Sequence, residues 1–303
     1  MIVVGGEALV DLVVRDGDEV AAHLGGGPFN CARTLGRLEQ PVAYLGRLSS
    51  DRFGLRLRAQ LEEDGVRLDA VVATDDPTTL ALAEVDAQGT AAYRFYVAGT
   101  SAAGLTPEAA LEVLPERVEM LHAGTLGLVF EPTAQALEAV IERVAGGALV
   151  MLDLNCRPSA IEDPDGYRAR LERLTARCDV VKASDADLDY LDPGRPDVEA
   201  ARALLGRGPA VVLLTRGERG ACVVTAEGDT DVAAPPVEVV DTIGAGDAFG
   251  GGFLAWWRRA GLGVTDLTQG EDVVEATRFA CLVAARTCER PGASPPRLAE
   301  LPA

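Results

Sequence analysis

Short apolar runs alternate along this chain with longer segments whose apolar residues recur at the period of an amphipathic helix. Helices are expected to begin at about Pro28, Asp51 and Pro132, and another follows Asp247. Strands are expected at residues 2–6, 42–46, 119–124, 148–154, 179–184, 210–215 and 237–241. This alternation predicts an α/β fold, a three-layer α/β/α sandwich whose central sheet is mostly parallel and covered by helices on both faces. The sequence has no internal repeat and no low-complexity linker, so we expect one domain over residues 1–303.

Two segments interrupt this alternation, at about residues 12–23 and 78–97. Both have the alternating polar and apolar positions of strands, with turns expected at 16–18 and 86–89, and they therefore predict two hairpins. The hairpins could pair into a small accessory β sheet, or they could be an extension of a sheet edge without a further role. An apolar face of the accessory sheet would come from alternating residues such as Leu80, Leu82, Phe95 and Val97.

The composition indicates a globular protein and limits its partners. Apolar residues make up 48% of the 303 residues, which is ample for a hydrophobic core. With 28 Lys and Arg against 47 Asp and Glu, the formal net charge is −19. This charge would repel nucleic acid and anionic membranes, so we expect neither as a partner.

The cysteines and the amino terminus predict a cytoplasmic protein. The six cysteines form no C-x-x-C pair and are scattered through predicted core elements, as reduced buried thiols would be. Met1 leads directly into a strand-like run without a basic segment or a cleavage site. No apolar run approaches the length of about 18 residues that a membrane span needs.

The segment Asp241 to Phe253, DTIGAGDAFGGGF, carries most of the chemical information. It joins a predicted strand to a predicted helix, so Gly244, Ala245 and Gly246 would form the turn at the helix start. The N–H groups of such a turn and the helix dipole attract an anion such as a phosphate. Asp247, at the start of the helix, could accept the proton of a hydroxyl that attacks this phosphate. A purely structural glycine turn is the alternative.

Together with the segment Gly25 to Arg37, GGGPFNCARTLGR, this pattern resembles the two signatures of the ribokinase-like (PfkB) family of carbohydrate kinases. The resemblance extends over essentially the whole chain, and it implies a β lid that closes over a sugar and excludes water. It implies that Asp247 is the catalytic base, and that the glycine turn and Mg²⁺ hold the phosphate transferred from ATP. It also implies sugar contacts by Asp11, Gly26, Gly27, Asn30 and Arg157.

Two further motifs resemble the family's nucleotide-binding segments. Ser184 and Asp187 stand where relatives have N-x-x-E, which acts through water on magnesium and phosphate. The same spacing is that of a helix capping box, which is the structural alternative. The resemblance also implies a loop beside the nucleotide, formed by Thr215, Gly217 and Gly220, where a tight turn between two strands is the alternative.

A site for a monovalent cation such as K⁺ is a further implication of the resemblance. Asp241 and the carbonyl oxygen of Ile243 occupy the corresponding positions, together with the tail segment near Gly292 and Ser294.

The resemblance and these residues predict an ATP-dependent sugar kinase that transfers the γ-phosphate to a sugar hydroxymethyl. The segments GEALVDL, DLNCRP and VKASDADLDYL are most similar to fructokinases. A 2-keto-3-deoxygluconate kinase is the alternative, because the Arg157 guanidinium could bind a sugar-acid carboxylate, and ribokinase and nucleoside kinase follow. A non-catalytic nucleotide or sugar sensor on the same fold is a different class, which the presence of Asp247 disfavours. The sequence lacks the Walker P-loop and G-x-G-x-x-G motifs of other nucleotide-binding classes.

The expected partners are a small-molecule sugar and ATP, and the lid adds an option for self-association. A β sheet of this size is marginal in isolation, so the lid must lean on the sugar, on the main domain or on the lid of a second subunit. The third option would make the enzyme a homodimer.

Overall fold

A computed structural model of the protein describes residues 1–15, 19–85 and 91–302. The strands in these ranges are β1 (Ile2–Gly5), β2 (Leu9–Arg15), β3 (Glu19–Gly25), β4 (Val42–Ser49), β5 (Val71–Thr74), β6 (Leu80–Val85), β7 (Ala91–Tyr96), β8 (Met120–Gly124), β9 (Leu149–Asp153), β10 (Val180–Ser184), β11 (Val211–Thr215), β12 (Ala221–Thr225) and β13 (Gly228–Val232). The α-helices are α1 (Gly27–Arg37), α2 (Arg52–Glu63), α3 (Pro107–Val113), α4 (Thr133–Val144), α5 (Pro164–Thr175), α6 (Asp185–Leu191), α7 (Asp197–Leu205), α8 (Ala245–Arg259) and α9 (Gly270–Cys288). The turns predicted at 16–18 and 86–89 lie outside the described residues.

The central sheet has the strand order β13-β12-β11-β10-β9-β8-β1-β4-β5. Its strands run parallel from β5 to β11, and only β12 and β13 at one edge are antiparallel. Successive side chains of β1 enter opposite cores: Val4 packs with α1, α2, α8 and α9, whereas Val3 packs with the helices from α3 to α7. The predicted α/β/α sandwich with a mostly parallel sheet is therefore confirmed.

The strand predicted at 237–241 is wrong. Residues 233–242 are neither helix nor strand, and the side chains of Val239 and Val240 are 59% and 60% exposed. The sheet already ends at the edge strand β13, and Pro235 and Pro236 lack the N–H groups that a further strand would donate. The backbone N–H of Val240 instead donates to the carbonyl of Cys288. An apolar run alone therefore does not decide whether a strand has a partner.

The two interrupting segments form a second, four-stranded sheet with the order β3-β2-β6-β7, as predicted, although its strands span 9–15, 19–25, 80–85 and 91–96. The predicted composition of its apolar face was partly wrong. Ala81 lies opposite Phe95, so Phe95 shares a face with Ala81 and Ala83, while Leu80 and Leu82 lie on the other face. The face with Phe95 packs on Leu126 and Phe130 of the main body.

Close packing of α8 on its neighbours explains the glycines 250–252. A Cβ atom at Gly251 would lie 2.8 Å from Cβ of Thr34 in α1, and one at Gly252 would lie 3.1 Å from Cα of Ala280 in α9. The absence of side chains thus lets α8 approach α1 closely, which brings the amino ends of the two helices together.

Within the described ranges, none of the helices combines the length and the hydrophobicity that crossing a lipid bilayer requires.

Candidate active site

A cavity of about 290 Å³ lies between the small sheet and the carboxyl ends of the central strands. In open α/β sheets this edge is where ligands bind, because the loops there are free to carry polar groups. Its lining comes from the small sheet, from the start of α1, and from the loops after β1, β8 and β9 and before α8: Glu7, Leu9, Asp11, Val13, Gly26, Gly27, Asn30, Ala83, Tyr93, Phe95, Thr125, Leu126, Asn155, Arg157, Thr242, Ile243, Gly244, Gly246 and Asp247.

The predicted anion turn is present at the start of α8. Gly244 has a left-handed backbone with φ 78°, and a Cβ atom there would lie 2.5 Å from Cβ of Ala293 in the tail. Ala245 is the first helical residue, and its N–H donates to the carbonyl of Thr242 at 3.2 Å. The N–H of Gly246, in contrast, has no carbonyl one turn earlier in the helix to bind and is available to an anion. Gly244 and Gly246 both line the cavity, which places the positive end of the helix dipole beside it.

Asp247 is buried in the first turn of α8 and contacts α1. The side-chain amide of Asn30 donates a hydrogen bond of 2.9 Å to Oδ2 of Asp247. Burial raises the pKa of Asp247 from 3.8 to about 6 and Asp153 adds to this rise, whereas Asn30, Lys182 and Arg157 oppose it. The carboxyl group is therefore mostly ionised at neutral pH and able to accept a proton.

Asn30 also offers an acceptor to the cavity. Its Oδ1 atom is buried, and among the described residues it accepts no hydrogen bond. A buried polar atom without a partner is destabilising unless a ligand or water satisfies it. The oxygen therefore suits a hydroxyl donor bound in the cavity.

The predicted sugar contacts on the small sheet and α1 converge on the same cavity. Burial raises the pKa of Asp11 to about 6, against the opposing influence of His23 and Arg157. A Cβ atom at Gly25 would lie 2.1 Å from Oδ2 of Asp11, and one at Gly27 would lie 3.3 Å from Oδ1 of Asp247. The glycines thus let backbone approach both carboxylates.

Gly26 and Arg157 complete the predicted set at the edges of the cavity. Gly26 has φ 109° and precedes α1, and a Cβ atom there would lie 2.6 Å from the carbonyl oxygen of Glu7. Arg157 is an exposed residue whose Nη1 donates to the carbonyl of Cys156 at 3.0 Å.

Sequence reasoning did not identify Glu7, which lies beneath this wall of the cavity. Its carboxylate accepts hydrogen bonds from the backbone N–H of Gly27 at 3.0 Å, the hydroxyl of Thr125 at 2.7 Å and the N–H of Gly127 at 2.8 Å. Burial raises the pKa of Glu7 to about 7 although these hydrogen bonds oppose the rise. Glu7 ties α1 to the loop after β8. Its position just after β1 is the signal that could have found it.

A second unpredicted feature is a buried ion pair under α8. Nζ of Lys182, the only lysine in the chain, lies 2.9 Å from Oδ1 of Asp153. The two residues are register partners on β10 and β9. No motif marks Lys182 in the sequence, so sequence reasoning did not identify it as a site residue.

Ser184 and Asp187 form the capping box of α6. Asp187 accepts hydrogen bonds from the N–H and the hydroxyl of Ser184 at 2.7 and 2.8 Å, and from the N–H of Cys156 at 2.6 Å. The structural alternative is thus realised, and both carboxylate oxygens are engaged. Neither residue lines the cavity, and their predicted role toward magnesium and phosphate stays a prediction.

Thr215, Gly217 and Gly220 form the tight turn that joins β11 to β12. Gly220 has φ 89°, and a Cβ atom there would lie 2.1 Å from the carbonyl oxygen of Val232. Ser184 and Thr215 are register partners, so the two predicted nucleotide segments lie side by side at the carboxyl edge of the sheet. Their contact with a nucleotide stays a prediction.

Asp241 joins the anion turn to the carboxyl-terminal tail. Its carboxylate accepts hydrogen bonds from the N–H of Ile243 at 3.0 Å and from the N–H of Gly292 at 2.8 Å. The predicted cation residues are therefore brought together. Throughout 1–15, 19–85 and 91–302, no three His, Cys, Asp or Glu side chains are grouped to hold a metal ion. The site for a monovalent cation stays a prediction.

Comparison with known proteins assigns the class and the family. The pfkB family carbohydrate kinase model matches residues 1–300. A fructokinase of Rhizobium leguminosarum bv. trifolii is 37% identical over 260 residues, covering 84% of this chain and 79% of the relative. A fructokinase with bound ATP from Xylella fastidiosa has a TM-score of 0.86 and 28% identity, covering 99% of this chain and 94% of that chain. A fructokinase double mutant from Vibrio cholerae O395 in fructose, ADP and potassium ion bound form has a TM-score of 0.84 and 26% identity, covering 96% and 93% of the two chains.

The fold and the cavity therefore define a sugar phosphotransferase. The chain belongs to the pfkB family of carbohydrate kinases, as the two glycine-containing signatures predicted.

The substitution Asp247→Asn should stabilise the protein at neutral and alkaline pH. Because burial raises the pKa of Asp247 from 3.8 to about 6, the ionised carboxylate disfavours the folded state above pH 6. A neutral amide removes this penalty, so the free energy of unfolding should rise by roughly 3 kcal/mol above pH 7, from a shift of about two units. The gain should shrink as the pH falls from 6 towards 4, where the wild-type carboxyl is protonated in the folded state and then in the unfolded state too.

Urea denaturation between pH 5 and 8 measures this gain, with Asp165→Asn as the matched control at an exposed aspartate. Equal or lower stability of Asp247→Asn at pH 8 would show that Asp247 is not held as a desolvated carboxylate.

Proposed function

We propose that this protein is an ATP-dependent fructokinase that transfers the γ-phosphate of ATP to a hydroxymethyl group of fructose. The observation that carries the proposal is the position of Asp247, a buried and ionisable carboxylate, in the first turn of a helix whose amino end opens into the cavity. An anion site and a base within one helical turn are what phosphoryl transfer to an alcohol requires.

The proposed reaction assigns separate roles to the turn and to the acid. The backbone N–H groups of Gly244, Ala245 and Gly246, at the start of α8, hold the transferred phosphate at the positive end of this helix. Asp247 orients the sugar hydroxyl toward the phosphate and accepts its proton late, because the transition state of phosphoryl transfer is loose. A catalytic role for Asp247 also distinguishes the enzyme from a non-catalytic sensor on the same fold.

The sugar would be held by Asp11, Asn30 and the loop at Gly26 and Gly27. The unpaired Oδ1 of Asn30 is satisfied when a sugar hydroxyl donates to it, and the carboxylate of Asp11 accepts from a second hydroxyl. The relatives named fructokinase favour fructose among the sugars. Arg157 is at the rim, where its guanidinium contacts the substrate or a phosphate.

ATP would extend from the anion turn across the carboxyl edge of the sheet. Thr215, Gly217 and Gly220 lie on that edge, beside Ser184 and Asp187. The exposed apolar side chains of residues 239 and 240 precede the anion turn and suit a purine base. The ATP reported in the Xylella fastidiosa fructokinase supports this assignment.

Mg²⁺ is the proposed metal, and K⁺ is the proposed monovalent cation. Mg²⁺ bound to the phosphates would neutralise the charge that develops on the transferred group. Asp187 would act on it through water, because its oxygens already accept three hydrogen bonds.

Asp241 and the carbonyl of Ile243 would contribute to the K⁺ site, a proposal supported by the potassium ion of the Vibrio cholerae fructokinase.

The small sheet, formed by β2, β3, β6 and β7, is proposed as the lid of a single domain spanning residues 1–303. Its inner face lines the cavity with Asp11, Val13, Ala83 and Phe95. Closure over a bound sugar would exclude water, which would otherwise compete as the phosphate acceptor.

The cysteines of the described ranges are free thiols, which supports a cytoplasmic setting.

The outer face of the lid is proposed to bind the lid of a second copy, making the enzyme a homodimer. Leu12, Leu80 and Leu82 share this face and are only half-buried, and Tyr96 beside them is 51% exposed. A two-fold axis would pair this apolar face with the same face of a second copy. This arrangement keeps the other, acidic surfaces of the two chains apart, since each chain has a net charge of −19.

Assays of a panel of sugars with ATP and Mg²⁺ should give the highest kcat/KM for D-fructose, with the product phosphorylated on a terminal hydroxymethyl. Asp247→Asn should lower kcat roughly 100-fold or more with little change in nucleotide affinity, because the amide cannot accept a proton. Turnover of 2-keto-3-deoxygluconate with inert fructose would refute the substrate assignment, and wild-type kcat in Asp247→Asn would refute the base.

Sugar binding should slow amide exchange in the lid. Saturating fructose with a non-hydrolysable ATP analogue should protect residues 9–15 and 80–85 more than β11, because closure buries hydrogen bonds that otherwise exchange with solvent. Hydrogen exchange followed by mass spectrometry measures both segments. Unchanged exchange in the lid would show that it does not close, even if the enzyme phosphorylates fructose.

The substitution Leu82→Glu should convert a dimer into a monomer, because it places a charge in the middle of the proposed apolar interface. Sedimentation velocity of wild-type and variant proteins measures the change. Leu111→Glu, at a leucine that is 40% exposed on α3, is the matched control and should leave the dimer intact. A monomeric wild-type protein, or a dimer that survives Leu82→Glu, would contradict the lid interface.

A further inference from the structure

The ion pair between Lys182 and Asp153 lies directly under the catalytic turn. A Cβ atom built at Gly246 would lie 3.4 Å from Nζ of Lys182, so the ammonium group touches the first turn of α8 one residue before Asp247. The ammonium is held by both oxygens of Asp153, at 2.9 and 3.0 Å. Both side chains are almost fully buried, which excludes a role at the surface.

Stability does not explain this arrangement. Buried ion pairs gain little over well-packed apolar side chains, because both charges must leave water. A cation is also disfavoured at the amino end of a helix, where the dipole is positive. Lys182 nevertheless occupies a position whose neighbours on the same sheet face, Val180 and Met151, belong to the apolar core. A pair that is unfavourable in this place points to a function.

We propose that Lys182 and Asp153 are positioning residues whose fixed opposite charges set how tightly the Asp247 carboxylate holds a proton. The ammonium favours the ionised base, and the carboxylate of Asp153 favours the protonated form. The inference rests on the proposed role of Asp247 as the base.

Few other charges act on Asp247. Burial keeps His122 of β8 neutral by lowering its pKa to about 3, and burial raises the pKa of Cys31 of α1 so that it stays a thiol. Asn30 of α1 is a neutral donor. The other charged groups that line the cavity are Arg157 after β9, Asp11 of the small sheet and Glu7 after β1.

The pair is well suited to this task because the ammonium keeps its charge in spite of its burial. Burial lowers the pKa of Lys182, but the attraction and hydrogen bonds of Asp153 more than offset this and raise the pKa above its ordinary value. Lys182 therefore stays charged over the pH range in which Asp247 titrates. The pair exerts two opposite electrostatic effects on Asp247 and has no net charge. Replacing either residue should therefore shift the pKa of Asp247 in a direction that can be stated in advance.

Titration of Asp247 in the free protein tests the inference without sugar or nucleotide. The ¹³C carboxyl signal of Asp247 is assigned by its loss in Asp247→Asn and followed from pH 4.5 to 8. Asp153→Asn should lower the midpoint by about one unit, a tenfold change in proton affinity. The ammonium is still stabilised by the charges of Asp187 and Asp247, and it is then no longer opposed by Asp153. In Lys182→Met two carboxylates share one buried site, so they should titrate as a coupled pair with one midpoint above that of the wild type.

The double variant Asp153→Asn with Lys182→Met is the control for misfolding of the single variants, because it removes both charges of the pair and leaves neither one buried alone. Its midpoint should return to within about half a unit of the wild type, because the two opposing effects are removed together. Arg170→Met, which breaks remote ion pairs with Glu138 and Glu131, is the control for loss of a partly buried ion pair and should leave the midpoint unchanged.

In the pH profile of kcat/KM, the midpoint on the acid side should shift in the same direction as the titration midpoint of each variant. Midpoints within about 0.3 units of the wild type in both Asp153→Asn and Lys182→Met would overturn the inference. Normal turnover in Asp247→Asn would instead overturn the proposed base, so the two failures are distinguishable.

Discussion

The desolvation of Asp247 at the amino end of α8 is the constraint on which the rest of the site depends. A carboxylate that is removed from water becomes a stronger base, but it is tolerated only where other groups stabilise its charge. Here the stabilisation comes from the Asn30 amide, which is 217 residues away in sequence and 2.9 Å away in space. The glycines of α8 make this contact possible, because they let α8 pack closely on α1.

The same helix end also reconciles the charge of the protein with its proposed substrates. A chain of net charge −19 repels ATP at long range, so the attraction must be local. The amides at the start of α8 act within a few ångströms and carry no net charge, so they are unaffected by the acidic surface. Asp241 stabilises this turn, because it accepts hydrogen bonds from Ile243 and from Gly292 of the tail.

The wall of the cavity opposite α8 depends on a different buried acid. Glu7 receives the N–H groups of Gly27 and Gly127 and the hydroxyl of Thr125, and so holds the loop before α1 against the loop after β8. These hydrogen bonds fix the backbone from which Asn30 projects. The proposed sugar-binding residues of α1 are thus held by the main body, while Asp11 is contributed by the small sheet, the proposed lid.

The sequence by itself determined the class of fold and the local setting of the candidate reacting groups. Alternating strands and helices are local patterns, and DTIGAGDAF is contiguous, so Gly244 and Asp247 could be placed at a helix start without any tertiary information. Tertiary structure decided the contacts between distant segments. It decided that residues 237–241 have no strand partner among the described residues, that Leu80 and Leu82 face away from Phe95, and that Lys182 lies under the first turn of α8. These outcomes depend on which sheet edge is free, on strand register and on helix packing, and each is set by residues far apart in the chain.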